Sequence, residues 1–193
     1  MSDPNKAGPP RVLHMCANAR AAFTDEECDA VIDLAKKQGL SPGVVQGNSV
    51  ELDVRDSDIA RLARTAESEW LYKKVFEIVL NLNSTAWQFD LFESEDFQVA
   101  EYTSKGHFDW HLDIASQHPF NLRKLGVTVQ LSDGDSYEGG NFETHYGPEL
   151  DIAPRDRGTI VIFPSFVLHR VAPVTSGSRF SLTAWILGQT PFK

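Results

Sequence analysis

The segment GHFDWHLDIA, residues 106–115, contains the pattern His-x-Asp twice, as His107-Phe-Asp109 and as His111-Leu-Asp113. An imidazole and a carboxylate two residues apart on a strand point to the same side, so that both can bind one metal ion. Two histidines and one carboxylate form the ligand set of non-heme iron sites, which leave further coordination positions open. The segment therefore predicts a metal site whose third ligand comes from another strand.

Six histidines are present, and one of them is a strong candidate for the third ligand. His169 follows the apolar run TIVIF, a predicted strand that a barrel would bring opposite the His-x-Asp strand. Strand periodicity does not choose between the two pairs, because residues 107, 109, 111 and 113 lie on one side of a continuous strand. The residue types therefore leave both pairs open.

The composition is typical of one globular domain. The chain has 193 residues, of which 41% are hydrophobic and 23% are charged, and this length is enough to bury a core. Acidic residues outnumber basic ones 27 to 18, giving a net charge of −9. This charge disfavours electrostatic binding to nucleic acid or to an anionic membrane. We therefore expect neither as a partner.

The N-terminus and the cysteines predict an intracellular protein. Residues 1–15 are polar and lack the pattern of a secretory signal, so we expect a flexible lead-in to a single domain at residues 16–193. Cys16 and Cys28 lack CxxC spacing and are too few for a disulfide scaffold. We expect free thiols in a reducing cytoplasm.

Two helices are predicted in the first half of the chain. Thr24 and the glutamate three residues later form a capping box, and the helical pattern that follows ends at Gly39. A second helix is predicted from near Ser57 to about Leu80, because apolar residues recur there at helical spacing. We expect residues 16–84 to form helical support for the rest of the domain.

From residue 86 to about residue 190 the sequence is typical of β-strands. Seven short runs rich in β-branched and aromatic residues are separated by Gly, Pro, Ser and Asp: WQFDLF, FQVAEY, HFDWHLDIA, LGVTVQLS, NFETHY, GTIVIFP and RFSLTAWIL. No helical pattern lies between them, which favours an antiparallel double-sheet barrel or jelly roll over βαβ units. The predicted fold class is α+β, a barrel braced by N-terminal helices.

The order of these motifs resembles the iron(II)- and 2-oxoglutarate-dependent oxygenases of the prolyl-hydroxylase superfamily, in particular the bacterial and phage PKHD-type branch. The resemblance runs from about Phe89 to Trp185 and includes an acidic turn that ends in Gly139-Gly140. Its most specific part is HRVAPVTSGSR, residues 169–179, which meets nearly every position of the family pattern H-R-V-x-P-V-x-x-G-x-R.

The resemblance selects one of the two His-x-Asp pairs. The family has a tyrosine about nine residues before its metal-binding histidine and an aromatic residue three before it, and Tyr102 and Phe108 stand at those distances from His111. The resemblance thus implies a double-stranded β-helix in which His111, Asp113 and His169 bind Fe(II).

The resemblance also implies a 2-oxoglutarate site. Arg179, ten residues after the distal histidine, would hold the far carboxylate of the cosubstrate, because a buried anion requires a charged and hydrogen-bonded partner. Tyr102 would donate a hydrogen bond to the cosubstrate, although a purely structural role in packing is an alternative. In the family this strand often contributes a polar side chain to the cosubstrate. The resemblance implies that role for Gln130, which would face the same interior as Thr128 if the strand alternates. No catalytic residue is implied beyond the metal ligands.

The implied reaction hydroxylates a C–H bond with O2 and converts 2-oxoglutarate to succinate, with ascorbate as a candidate reductant. The implied substrate is a prolyl residue of a peptide or protein, which rests on analogy within the fold alone. Hydroxylation of a free amino acid or another small molecule is an alternative. A non-catalytic metal-binding barrel is a second alternative from a different class.

Five polar residues near the motifs have open roles. His107 and Asp109 are expected at the mouth of the site, beside the metal ligands or in solvent, with substrate contact as an alternative. Asn141, His145 and Arg170 are each compatible with substrate contact or with a surface position. The sequence leaves the oligomeric state undetermined.

Overall fold

The computed structural model describes residues 14–44, 49–148 and 150–192, so most of the predicted N-terminal lead-in lies outside the described residues. Its helices are α1 (Asp25–Gln38) and α2 (Glu69–Ala86), with a short 3-10 helix at Phe120–Leu122. Its strands, in chain order, are β1 (Ala17–Ala19), β2 (Ser41–Pro42), β3 (Arg55–Asp56), β4 (Asp58–Leu62), β5 (Leu91–Ser94), β6 (Phe97–Tyr102), β7 (His107–His111), β8 (Arg123–Gln130), β9 (Tyr137–Gly139), β10 (Phe142–His145), β11 (Leu150–Ile152), β12 (Ile160–Pro164), β13 (Leu168–Val171), β14 (Val174–Gly177) and β15 (Arg179–Gly188).

Two antiparallel sheets build the barrel. The larger sheet has the order β1-β12-β8-β15-β6-β4-β2, with β5 also paired to β15, and the smaller sheet has the order β11-β10-β13-β7-β3. Strands β9 and β14 form a separate two-stranded ribbon. Every pairing between the described strands is antiparallel. The predicted double-sheet architecture is therefore confirmed.

The apolar core has two parts, one on each face of the larger sheet. On the outer face, α1 and α2 bury residues such as Val31 and Val79 in one cluster with residues of the sheet such as Leu182. Between the two sheets a smaller cluster joins residues such as Phe163 of the larger sheet to Phe142 of the smaller sheet. The helices thus brace the larger sheet from outside, and the space between the sheets remains for a site.

The predicted first helix is confirmed with its cap. The side-chain oxygen of Thr24 accepts a hydrogen bond from the backbone N–H of Glu27 at 3.3 Å, and the Glu27 carboxylate accepts one from the Thr24 N–H at 2.8 Å. Each bond satisfies a backbone donor that the first helical turn leaves without a partner. The helix ends at Gly39, whose φ of 91° suits a residue without a side chain.

The predicted start of the second helix was wrong. Residues 58–62 form strand β4, and α2 begins at Glu69 and extends to Ala86, past the predicted end. Ile59 of β4 belongs to the cluster between the sheets and Ala60 to the cluster with the helices, so β4 buries apolar residues on both faces and they do not alternate strictly. The resulting spacing of apolar residues resembles that of an amphipathic helix. The segment predicted as helical support therefore contributes β1 to β4 to the two sheets.

Candidate metal and cosubstrate site

Two side chains of the smaller sheet and one that follows its strand β7 converge between the two sheets. His111 is the last residue of β7, Asp113 lies two residues beyond it, and His169 lies on β13 directly opposite His111. The Nε2 atom of His111 lies 3.9 Å from one Asp113 carboxylate oxygen, and that of His169 lies 3.7 Å from the other. The ligand atoms all lie within 4.8 Å of one another, in the one such cluster found among the described residues.

Both imidazoles present the same nitrogen to the centre of this cluster. The Nδ1 atom of His111 lies 2.7 Å from the Asp109 carbonyl oxygen, and that of His169 lies 2.9 Å from the Val167 carbonyl oxygen. A ring nitrogen in contact with a carbonyl oxygen carries the proton, so Nε2 keeps its lone pair. Burial, with a smaller contribution from His169, lowers the pKa of His111 to about 4. A neutral imidazole oriented by a backbone carbonyl is the form that binds a metal.

The Asp113 carboxylate completes a donor set that fits a divalent ion. Its side chain is buried, and its Oδ2 atom has no hydrogen-bond partner among the described residues. A buried carboxylate oxygen without a partner is costly, and a bound cation would remove that cost. Two imidazoles and one carboxylate are the set that non-heme Fe(II) prefers. The residues present therefore fit the metal that the sequence predicts.

A β-bulge in β7 separates the two His-x-Asp pairs. His169 is opposite His111 and Val171 is opposite Phe108, so that one extra residue of β7 is accommodated between the two positions. Phe108 and His111 consequently both line the cavity, and their rings stack with centroids 3.6 Å apart. The expectation that residues 107, 109, 111 and 113 share one side was wrong, because it assumed a continuous strand.

His107 and Asp109 do not line the cavity that contains the other pair. The ring nitrogens of His107 contact the carbonyl oxygens of Lys105 at 3.0 Å and Asp53 at 3.3 Å. The Asp109 side chain is exposed and accepts a hydrogen bond from the Trp110 N–H at 2.8 Å. Asp109 nevertheless serves the site through its carbonyl oxygen, which orients His111.

Arg179 is the largest fully buried side chain of the described residues, at 0% exposure. Its Nη2 donates to Gln130 Oε1 at 2.9 Å and its Nη1 donates to Ser181 Oγ at 3.2 Å, while its Nε has no partner in the described part of the chain. No carboxylate pairs with it there, although a buried cation requires an anion to offset its desolvation. A carboxylate of a bound molecule would satisfy this guanidinium.

A narrow cavity with polar and apolar walls connects the metal ligands to the interior strands. It is lined on β15 by Ser181 and Thr183, on β8 by Thr128, and on β6 by Gln98 and Tyr102. Because side chains alternate along a strand, the positions 179, 181 and 183 share the interior face. The buried Oε1 atom of Gln98 has no partner among the described residues.

Of the predicted cosubstrate residues Tyr102 and Gln130, only the first lines the cavity. Tyr102 lies opposite Arg179 in the sheet, with the guanidinium 5.5 Å from its ring centroid, and it lines the cavity. Gln130 has the predicted inward direction, but it contacts Arg179 and the Pro154 carbonyl oxygen rather than lining the cavity. Its position is suited to orienting the guanidinium.

The cavity opens to solvent through an outer pocket of about 300 Å³. Both spaces share a set of lining residues, namely Arg55, Gln98, Phe108, His111, Asp113 and Trp185. The outer wall adds apolar side chains that include Leu112, Ala115 and Phe120. A molecule in the outer pocket would therefore lie next to the metal ligands.

Arg123 is a positioning residue that sequence reasoning missed. Its Nη1 donates to the Asp113 carbonyl oxygen at 3.0 Å, and two further nitrogens each lie 2.6 Å from the Glu95 carboxylate. The guanidinium also stacks 4.0 Å from the Trp185 ring. This set of contacts fixes the backbone of a metal ligand. Nothing in the sequence indicates that residues 28 positions apart form this ion pair.

The three downstream residues with open roles do not line either cavity. The Asn141 side chain accepts a hydrogen bond from Arg155 at 3.1 Å. Arg170 pairs with the Glu143 carboxylate at 2.6 Å. His145 is exposed next to the Trp110 ring. Each of the three side chains contacts another side chain of the protein.

The comparison with known proteins agrees with this geometry. Residues 97–187 match the family described as the 2OG-Fe(II) oxygenase superfamily. The chain resembles members of this superfamily over this part of its length. It is 35% identical over 94 residues to a PKHD-type hydroxylase of Teredinibacter turnerae, covering 47% of this chain and 42% of that protein. It is 40% identical over 95 residues to a PKHD-type hydroxylase of Synechococcus sp. strain CC9605, covering 46% and 40%. The matched part thus spans less than half of each of these relatives.

Solved prolyl hydroxylases share the fold of this protein over most of the chain. One from Trichoplax adhaerens, solved with a hypoxia inducible factor peptide fragment, has a TM-score of 0.77 at 16% identity and covers 91% of this chain and 84% of that one. A Pseudomonas putida prolyl-4-hydroxylase has a TM-score of 0.74 at 17% identity, covering 91% and 94%. At this identity they establish the fold alone, which confirms the double-stranded β-helix. In the described ranges, no helix is long and apolar enough to cross a membrane.

Proposed function

We propose that this oxygenase hydroxylates a substrate C–H bond while converting 2-oxoglutarate to succinate. The observation that carries the proposal is a complete donor set for Fe(II) in a cavity that Ser181 also lines. Ser181 accepts a hydrogen bond from the buried Arg179, which lacks an anionic partner among the described residues. The bound iron and 2-oxoglutarate would supply the oxidising chemistry with O2.

The residues of the chain would bind and orient the reactants. His111 and His169 would hold the ion through Nε2, and Asp113 would hold it through its carboxylate. Arg179 would bind the far carboxylate of 2-oxoglutarate with its guanidinium, which Gln130 and Ser181 hold in place.

The remaining groups of the cavity would orient the cosubstrate and exclude water. The Tyr102 side chain lines the cavity, and its hydroxyl would donate a hydrogen bond to the cosubstrate. The rings of Phe108, Phe142 and Phe163 line the same cavity. Their apolar surface would keep bulk water from the reactants, which strengthens the electrostatic contacts there.

The proposed substrate is a prolyl residue in a peptide or protein. The solved neighbours that carry the prolyl hydroxylase name support this, as does the one solved with a peptide fragment. A free amino acid or another small molecule is the alternative substrate. A reductant role for ascorbate, a cytoplasmic location and a single domain from residue 16 remain predictions.

The test is a visible spectrum followed by turnover. Anaerobic addition of Fe(II) and 2-oxoglutarate should produce the weak metal-to-ligand charge-transfer band of the chelate, and the band should be absent in His111→Ala. Proline-containing peptides and free amino acids are then screened for succinate and for a mass gain of one oxygen. A wild-type protein without the band and without succinate would be a non-catalytic barrel.

A further inference from the structure

The outer pocket concentrates positive charge in an acidic protein. The chain has a net charge of −9, yet Arg55, Arg61 and Arg123 all line this one pocket. The acidic residue in the described lining is Asp113, which the metal ligand set already uses. Residues 45–48, Val-Gln-Gly-Asn, follow the lining residue Val44 in the sequence and include no acid.

Two of these three arginines lack a carboxylate. Arg123 is neutralised by Glu95 at 2.6 Å. Neither Arg55 nor Arg61 forms an ion pair with any described residue. The pocket therefore carries two positive charges that nothing in the described structure balances.

Arg55 is held in a fixed position next to the metal ligands. It is only 6% exposed, its Nε donates to Ser57 Oγ at 2.9 Å, and its guanidinium lies 4.7 Å from the Phe108 ring centroid. Phe108 in turn stacks on His111. A buried guanidinium without an anion is unfavourable, and its planar fork matches the two oxygens of a carboxylate.

Arg61 extends the same wall towards solvent. It lies on β4 directly opposite Gln98 of β6, which lines both the outer pocket and the inner cavity. The apolar residues around the pocket, including Leu112 and Phe120, reduce the water available to screen a charge. An anion between the two arginines would therefore be bound more strongly than one on an open surface.

We propose that Arg55 and Arg61 form a subsite for a carboxylate of the substrate. The inference rests on the proposed function and narrows its substrate class to molecules that carry a carboxylate near the carbon to be hydroxylated. The carboxylate belongs either to a small carboxylic acid or to an acidic side chain beside the target residue of a peptide. The subsite is distinct from Arg179, which serves the cosubstrate.

Two pairs of probes that differ only in charge test the subsite. The first pair is N-acetylproline and its amide, and the second is the peptide acetyl-Ala-Pro-Glu-Ala-amide and its Gln counterpart. Binding is measured anaerobically by calorimetry on protein loaded with Fe(II) and saturating 2-oxoglutarate, so that Arg179 is already occupied. The acidic probe of at least one pair should bind about tenfold or more tightly than its neutral partner, as expected of a charge-assisted hydrogen bond.

Substitution should remove this preference. Arg55→Gln and Arg61→Gln should each reduce the acid-to-neutral ratio several-fold, and the double variant should bring it to about one. Arg20→Gln is the matched control, because Arg20 forms a surface pair with Asp156 and does not line the pocket. The charge-transfer band, retained in each variant, shows that the metal and cosubstrate site is intact.

The possible outcomes test the carboxylate subsite independently of the proposed hydroxylase activity. Equal binding within both pairs, or a preference that survives the double substitution, would overturn the proposal. A preference in the first pair alone assigns the carboxylate to a small acid, and one in the second pair alone assigns it to a peptide. A preference without succinate formation would refute the hydroxylase while the subsite stands. Arg61 is exposed, so Arg61→Gln decides the question alone if Arg55→Gln fails to fold.

Discussion

Gly126→Ala tests whether Asp113 must remain where the structure places it. A methyl group on Gly126 would lie 2.5 Å from the Asp113 Oδ2 atom and 2.6 Å from two ring atoms of Phe163, whereas ordinary contacts begin at 3.4 Å. The difference, 3.4 − 2.5 = 0.9 Å, is the displacement that the carboxylate would need. Strand β8 lies in the middle of the larger sheet, so its backbone has little freedom to retreat.

The expected loss of stability in Gly126→Ala follows from overpacking a core position. Such insertions destabilise by about 1–3 kcal/mol, which for a chain of this size lowers the melting temperature by roughly 2–12 °C. A metal ligand displaced by nearly 1 Å should also weaken Fe(II) binding, and turnover should fall by about a hundredfold.

The assay is calorimetric melting of the metal-free protein together with anaerobic Fe(II) titration in the presence of 2-oxoglutarate. Gly147→Ala is the matched control, because no atom lies within 4 Å of the position that its methyl group would take. A Gly126→Ala protein with unchanged melting temperature and Fe(II) affinity would refute the placement of Asp113 against β8.

Four further substitutions and one control test the roles of single residues. Asp113→Ala should abolish Fe(II) binding and turnover, whereas His107→Ala should retain Fe(II) and 2-oxoglutarate binding by spectral titration; equal losses would contradict the assignment. Arg179→Lys should raise the KM for 2-oxoglutarate by about tenfold or more without changing Fe(II) affinity, because lysine lacks the planar fork. Arg123→Met should lower the free energy of unfolding in urea by about 1–3 kcal/mol and weaken Fe(II) binding, since the Asp113 carbonyl oxygen loses its donor. The control Arg20→Met removes an exposed ion pair and should cost under about 1 kcal/mol.

The elements that the sequence predicted well depend on local interactions. The cap at Thr24 needs only a glutamate three residues later, and Gly39 ends the helix through its own backbone freedom. The seven predicted strand runs each overlap an observed strand, because β-branched residues bounded by turn residues are a short-range pattern. The helix predicted to start near residue 57 was wrong because β4 buries apolar residues on both of its faces. In such a segment the spacing of apolar residues does not distinguish a strand from a helix.

The sequence by itself determined which residue types make up the candidate site. The sequence alone is enough to match four residues to a family pattern by their spacing, namely His111, Asp113, His169 and Arg179. Only the tertiary structure decided which side chains meet. The bulge in β7 turns His107 away, and it exists only because β13 lies beside that strand. Ion pairs between distant residues and the convergence of unpaired arginines in one pocket have the same origin. They depend on how the two sheets pack, and no local pattern encodes the distance between segments far apart in the chain.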